Sequence, residues 1–356
     1  MKVLLAKPRG FCAGVDRAIK IVDLALEVFG PPVYVRKEIV HNSHVVTAFR
    51  EKGVVFVNEL DEVPDGELTI LSAHGSPREV FEDAKRRGLR VIDATCPLVT
   101  KVHMEVHRSA RPGDHVILIG HAGHDEVVGT IGQSPEHISL VEDQRQANEV
   151  QLPPHDRLTV LTQTTLGVDD TAEVMAVLRD RFPHLKSPAD DDICYATQNR
   201  QDAVKAMSGQ GIDLLLVVGS QNSSNAARLV EVGQARGVPG FLIDGPEEID
   251  PAWLADVESV GITAGASTPE HVVQSVLDRL RELGADAIEY CVTAEEATAF
   301  QLPRILKRAL EDRSRADSTS QPGGSGEPRR ADGQHRRAGG EHRPLAGTPG
   351  NGAHEL

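Results

Sequence analysis

Arg90-Val-Ile-Asp-Ala-Thr-Cys-Pro-Leu-Val-Thr-Lys-Val-His103 decides how the chain is read. Arg90–Ala94 is a short, largely apolar run of the kind that forms a buried strand. Leu98–Ala110 follows with an amphipathic helical pattern, and Pro97 suits a first helical turn. The segment is a strand running into a helix, with Cys96 at the junction. The arrangement recurs in Phe11-Cys-Ala-Gly-Val-Asp-Arg-Ala18 and in Ile193-Cys-Tyr-Ala-Thr-Gln-Asn-Arg200, where Cys12 and Cys194 open helices. The three cysteines lie roughly 90 residues apart, a period far longer than that of a solenoid. After each Cys-led helix comes a strand ending in a small polar turn: Ser72-Ala-His-Gly-Ser76, Gly120-His-Ala-Gly-His124 and Gly219-Ser-Gln-Asn-Ser-Ser-Asn225.

Outward from these junctions, short apolar runs alternate with helical patterns. Strands are expected at Lys2–Ala6, Val33–Val35, Val54–Val57, Leu68–Ser72, His115–Ile119, Leu158–Thr162, Leu214–Val218, Gly240–Ile243 and Ser259–Thr263. Helices are expected at Gly14–Phe29, Arg78–Arg87, Asp169–Arg181, Arg200–Ser208, Ser224–Arg236 and Pro269–Leu283. Such alternation predicts an α/β fold with parallel sheets covered on both faces. We divide it into three related α/β units, 14–95, 96–193 and 194–285, the third with 1–13 packing centrally, and 286–312 as a C-terminal extension. The alternative is chance similarity among strand-to-helix junctions. From 313 to 356 the chain is rich in Gly, Pro, Arg and Ser, with Leu345 and Leu356 its large aliphatics, and disorder is expected there.

Composition excludes several classes. The 53 acidic residues outnumber the 38 basic ones, for a net charge of −15. Nucleic-acid binding draws its affinity from Lys and Arg on phosphates, so no nucleic-acid partner is expected. Aromatics are 3% of the chain, too few for a base-stacking platform. No apolar run approaches the length of a membrane span. The start lacks the long apolar stretch of a secretory signal, so a cytoplasmic location is expected. In a reducing cytosol Cys12, Cys96, Cys194 and Cys291 stay unpaired, and Cys291 reads as a small core residue.

A thiolate at a helix start is favoured by backbone N–H groups and the helix dipole. Such sulfurs suit an iron–sulfur cluster or zinc. Zinc sites usually show a paired Cys-x2–4-Cys, and none is present. Three distant cysteines suggest a four-iron cluster with one iron lacking a protein thiolate. Five polar loops follow apolar strands, where open α/β sheets bind ligands. None contains Lys or Arg, so His41, His74 and His124, with Ser, Thr and Asn, are candidate holders of an anion. His121 reads as a surface residue, and Ser223-Ser-Asn225 could equally be a helix N-cap. No Walker or dinucleotide glycine motif follows a strand. Glu126 is either a first-turn carboxylate favoured by the dipole or a proton donor of raised pKa.

These residues resemble one family. Pro8-Arg-Gly-Phe-Cys-Ala-Gly-Val-Asp-Arg17, Asp93-Ala-Thr-Cys-Pro-Leu-Val-Thr-Lys-Val-His103, Gly120-His-Ala-Gly-His124, Thr162-Gln-Thr-Thr-Leu166, Asp192-Ile-Cys-Tyr-Ala-Thr197, Gly219–Asn225 and Thr263-Ala-Gly-Ala-Ser267 are similar to the LytB/IspH family of 4-hydroxy-3-methylbut-2-enyl diphosphate reductases. The similarity runs from Met1 to about Pro303. It implies a three-lobed trefoil with pseudo-threefold symmetry around one [4Fe–4S] cluster per chain. It also implies two-electron removal of the substrate's allylic hydroxyl, giving isopentenyl and dimethylallyl diphosphates at the end of the non-mevalonate pathway. By resemblance Cys12, Cys96 and Cys194 are the cluster ligands. His41, His74, His124, Thr165, Ser223, Ser224, Asn225 and Ser267 bind the substrate, Thr164 meets its hydroxyl, and Glu126 donates the proton. Ferredoxin or flavodoxin is the implied electron donor. Two other readings use the same residues: a zinc hydrolase with three thiolate ligands, and a cluster-bearing redox sensor.

Overall fold

Every strand pairing among the described residues is parallel. The structure is a computed structural model and describes residues 1–187 and 192–319. β1 (Lys2–Lys7) leads into α1 (Ala13–Phe29). Then come β2 (Val33–Arg36), α2 (Ser43–Glu51), β3 (Val54–Val57), β4 (Leu68–Leu71), α3 (Arg78–Arg86) and β5 (Arg90–Asp93), whose strands form a sheet in the order β3-β2-β4-β5. α4 (Pro97–Ser109), β6 (Asp114–Ile119), α5 (Asp125–Ile131), β7 (Ile138–Val141), α6 (Gln144–Glu149), β8 (Arg157–Thr162) and α7 (Val168–Arg181) build a second sheet, β7-β6-β8. α8 (Tyr195–Gly209), β9 (Leu214–Val218), α9 (Ser224–Ala235), β10 (Gly240–Ile243), β11 (Ser259–Ala264), α10 (Glu270–Glu282) and β12 (Ala287–Val292) supply a third, β10-β9-β11-β1-β12. α11 (Arg304–Thr319) follows.

Each sheet has an interior strand without alternation. β4, β6 and β9 are buried along their whole length, as expected of a parallel strand covered on both faces. The first sheet shows both faces. Ile21, Val22, Val35, Ile70 and Ile92 form the core on one side, and Val57, Leu71, Val80 and Leu89 that on the other. With the sheet interiors filled, function is left to the loops beyond the strand ends. Those after β1 and β5 carry Cys12 and Cys96, those after β4, β6, β8, β9 and β11 carry the polar turns read from the sequence, and Cys194 comes after α7.

The structure adds α2, α5, β7, α6, β12 and α11 to the expected elements and differs at several boundaries. Residues 2–7 sit inside the third sheet, between β11 and β12. The expected extension begins with β12, which pairs with β1 from Lys2↔Ala287 to Lys7↔Val292 and is the fifth strand of that sheet. α8 starts at Tyr195, one turn or more before the expected Arg200. The boundary expected at 313 falls within α11, which places Leu306 in the first core. Residues 320–356 lie outside the described residues. Met1–Ser314 is one compact unit, and of the second, Arg315–Leu356, residues 315–319 are described as the end of α11.

One buried ion pair ties the segment after β12 to the loop before α1. Arg200, with a fully buried side chain, donates to Glu296 at 3.0 Å, to Gly10 O at 2.7 Å and to Ala196 O at 2.8 Å. Removing one partner of a buried pair leaves a charge without compensation. Glu296→Ala is therefore expected to cost about 3–5 kcal/mol, read as a lowered urea midpoint.

Candidate active site

Cys12, Cys96 and Cys194 are the N-cap residues of α1, α4 and α8, and all are free thiols. All three line one cavity, to which each of the three sheets' units contributes residues. Gly14 shows how close the first two come. A Cβ there would lie 2.6 Å from Cys96 Sγ and 3.8 Å from Cys12 Sγ, so α1 passes the sulfurs only as glycine. Cys194 Sγ accepts the N–H of Thr197 at 3.3 Å and lies 3.1 Å from its hydroxyl. Burial, with smaller contributions from the neighbouring sulfurs, pushes the Cys96 thiol up to about 12 and the Cys194 thiol up to about 11. Thiolates here need a positive group beside them. N–H donors, burial and three converging sulfurs fit an iron–sulfur centre. They fit a single zinc ion poorly. Three sulfurs around one zinc at ~2.3 Å stand about 3.8 Å apart. Among the described residues the trio of metal-ligating types drawn within 4.8 Å is His41, His74 and Asp125, and the sulfurs are spread wider.

The same cavity is lined by three histidines. His41 and His74 stack with centroids 3.9 Å apart, and His124 stands edge-on to His41 at 5.5 Å. Burial holds His74 well below its ordinary value and His124 down at about 4, with the neighbouring rings adding to both. His124 Nδ1 accepts the N–H of Glu126, so in the neutral ring Nε2 carries the proton. His74 Nδ1 is buried without a partner. The polar rim continues in the third unit. Ser223 caps α9, Ser224 Oγ lies 3.1 Å from Thr165 Oγ1, Asn225 accepts Ala266 N–H at 2.9 Å, and Ser267 donates to His41 O at 2.8 Å.

Glu126 is buried, and its carboxylate turns inward rather than lying along the first turn of α5. Oε1 accepts Thr164 N–H at 2.7 Å, and Oε2 accepts the Thr164 hydroxyl at 2.9 Å. Burial raises its pKa to about 7 against the pull of those two bonds. Thr164 O in turn accepts the N–H of Cys194 at 3.1 Å. An acid, a hydroxyl and the cysteine at the start of α8 are thus joined through one residue.

Every site residue singled out from the sequence lines this cavity: Cys12, His41, His74, Cys96, His124, Glu126, Thr164, Thr165, Cys194, Ser223, Ser224, Asn225 and Ser267. His121 is exposed and Cys291 is buried in a separate core, as their sequence contexts suggested. Several residues were missed. Val15, Val40, Leu98, Val99, Tyr195 and Phe300 form an apolar wall. Gln163, within the Gln-Thr-Thr motif, is buried and binds His121 N–H through its oxygen and Thr165 Oγ1 through its nitrogen. The motif was visible, but not which way its glutamine turns.

Comparison with known proteins gives one result throughout. A family model described as LytB protein matches residues 3–281. A 4-hydroxy-3-methylbut-2-enyl diphosphate reductase of Hahella chejuensis is 57% identical, covering 86% of this chain and 98% of the relative. The protein of the same name from Chromohalobacter salexigens is 55% identical, covering 87% and 99%. Among solved structures, the E-1-hydroxy-2-methyl-but-2-enyl-4-diphosphate reductase of Plasmodium falciparum superposes with a TM-score of 0.85 at 38% identity, covering 88% of this chain and 98% of that one.

Proposed function

The chain belongs to the LytB family and is a reductase of 4-hydroxy-3-methylbut-2-enyl diphosphate, the last enzyme of the non-mevalonate isoprenoid pathway; on that premise we propose that the central cavity holds both the substrate and a [4Fe–4S] cluster. The observation that carries the proposal is the chain Glu126–Thr164–Cys194, which connects a buried acid to a sulfur position through hydrogen bonds of 2.7, 2.9 and 3.1 Å.

Cys12, Cys96 and Cys194 would hold the cluster. When bound, it would supply single-electron transfer and, at an iron without a cysteine, a Lewis acid for the departing oxygen. The remaining work falls to side chains. His41, His74 and His124 meet the diphosphate from one side, and Ser223, Ser224, Asn225 and Ser267 from the other. The N-terminus of α9 adds its N–H groups and dipole. Two of the histidines are neutral in their buried setting. An anion among them favours their protonated forms, so binding brings its own counter-charge. Val15, Val40, Leu98, Val99 and Phe300 enclose the hydrocarbon part and exclude water. The Thr164 hydroxyl orients the substrate's hydroxyl, and Glu126 gives up the proton that leaves with it as water. Two electrons and a second proton complete the reduction, and protonation at either end of the allyl unit yields isopentenyl or dimethylallyl diphosphate.

The electrons come from a ferredoxin or flavodoxin in this reading. Four unpaired cysteines favour a reducing compartment, the cytoplasm. No helix among the described residues is long and apolar enough to cross a membrane. Anaerobically purified protein, given the allylic diphosphate and reduced methyl viologen, is expected to form both products. Absence of turnover in protein carrying a full cluster would refute the assignment.

A further inference from the structure

The cavity histidines are held in different ways. His124 is fixed by a backbone N–H, and His74 has a free buried nitrogen. His41 Nδ1 faces a carboxylate, Glu38 Oε2, at 3.2 Å. That same oxygen accepts the side-chain N–H of Asn222 at 2.8 Å. Glu38 and His41 belong to the loop between β2 and α2, in the first unit. Asn222 belongs to the turn after β9, in the third, directly before Ser223 and Ser224. Glu38 is outside the cavity lining.

The backbone is committed to this arrangement. Lys37, just before Glu38, has φ 61°, a left-handed conformation uncommon for a residue with a side chain. Its N–H is held by Val57 O at 2.8 Å. The hydrogen bond to His41 is the largest influence holding the Glu38 carboxyl below its ordinary value, with Asn222 and Arg50 acting in the same direction. Farther along the loop the units are sewn again. Ser43 N–H donates to Ser220 Oγ at 3.0 Å, and Asp244 accepts the hydroxyls of Ser43 at 2.6 Å and Ser220 at 2.7 Å.

We propose that Glu38 is a positioning residue for diphosphate binding: through one carboxylate oxygen it fixes the His41 ring of the first unit and the Asn222 side chain of the third, so that donors from two units face the cavity as one set. The inference rests on the reading that His41, Ser223 and Ser224 hold the diphosphate. With Nδ1 committed to Glu38, His41 keeps Nε2, 3.8 Å from Asp125 Oδ2, for the ligand. With Asn222 committed to the same atom, the turn carrying Ser223 and Ser224 is set against that ring. The role is one of geometry, so an acceptor oxygen at this place is what matters.

Steady-state kinetics on holoenzyme tests it, with inorganic pyrophosphate as competitor. Glu38→Ala is expected to raise the substrate KM and the pyrophosphate Ki together by about tenfold, with kcat within about twofold and the cluster's visible absorption unchanged. Glu38→Gln keeps an oxygen that accepts both bonds, and is expected to return both constants to within about threefold of the original. Asn222→Ala is expected to raise KM less than Glu38→Ala, and the double variant to be no worse than Glu38→Ala, because the two side chains act through one contact. Original KM and Ki in Glu38→Ala, or failure of Gln to restore them, would overturn the role of Glu38 alone. Absence of pyrophosphate inhibition in the original protein would overturn the diphosphate site itself, and this proposal with it.

Discussion

Glu126→Gln is expected to lower kcat by about 10²–10⁴-fold, the usual contribution of a positioned proton donor, with little change in KM. The replacement preserves volume. Its amide oxygen still accepts Thr164 N–H, and the Thr164 hydroxyl turns to accept from the new amide N–H, so the contacts seen at 2.7 and 2.9 Å survive with one donor reversed. What is lost is the proton. Because burial raises Glu126 to about 7, the carboxyl is protonated below that pH and ionised above it. In the unsubstituted enzyme kcat should fall as pH rises through about 7. The residual rate of Glu126→Gln should lack that limb. A pH–rate profile of kcat, taken with substrate saturating, checks both statements. Near-normal turnover in the variant would remove Glu126 from the mechanism.

Cys96→Ser is expected to abolish turnover together with bound iron and the cluster's visible absorption. Serine is nearly isosteric, and α4 retains its Pro97 start, so the fold should persist. A hydroxyl is a harder and far less acidic ligand than a thiol, and iron–sulfur clusters are held by thiolates. The control is Cys291→Ser. Cys291 lies in β12, packs in the core that includes Leu4, Val217 and Leu229, and is contacted by Gln210 at 3.3 Å. Its loss should leave iron content and turnover intact. Iron analysis after anaerobic desalting distinguishes the two variants.

Much of this was legible before the structure. Buried parallel strands announce themselves as short apolar runs, and Cys12 and Cys96 stand between such a run and the helix that follows it, whereas Cys194 follows a helix and is marked only by the helix that it opens. The polar turns at strand ends are marked by Gly, Ser and His. Other elements carry weaker signals. β7, Ile-Ser-Leu-Val, is a four-residue edge strand broken by Ser139. β12 alternates Glu289 with Tyr290 and buries little besides Cys291, because it pairs on one side alone. α5 and α6, of seven and six residues, are too short to show a helical period.

The site was legible in its membership and not in its wiring. The residues alone left Glu126 either a first-turn acid or a proton donor, and it is Thr164, approaching from another strand end, that holds its buried carboxylate with two hydrogen bonds. Phe300 comes from a stretch with no periodicity and enters the cavity because Arg200 and Arg17 pin that segment, the latter through Gln301 O at 2.8 Å. Glu38 stands in no motif of the sequence, and Asn222 is brought to it from the third unit. Tertiary contacts between units decide these roles, and local pattern carries no trace of them.

The most direct test is a count of iron and acid-labile sulfide in the anaerobically purified chain, with zinc measured on the same sample. Three sulfurs spread wider than one ion can gather predict about four irons and four sulfides per chain. About one zinc per chain, with neither iron nor sulfide, would contradict the account.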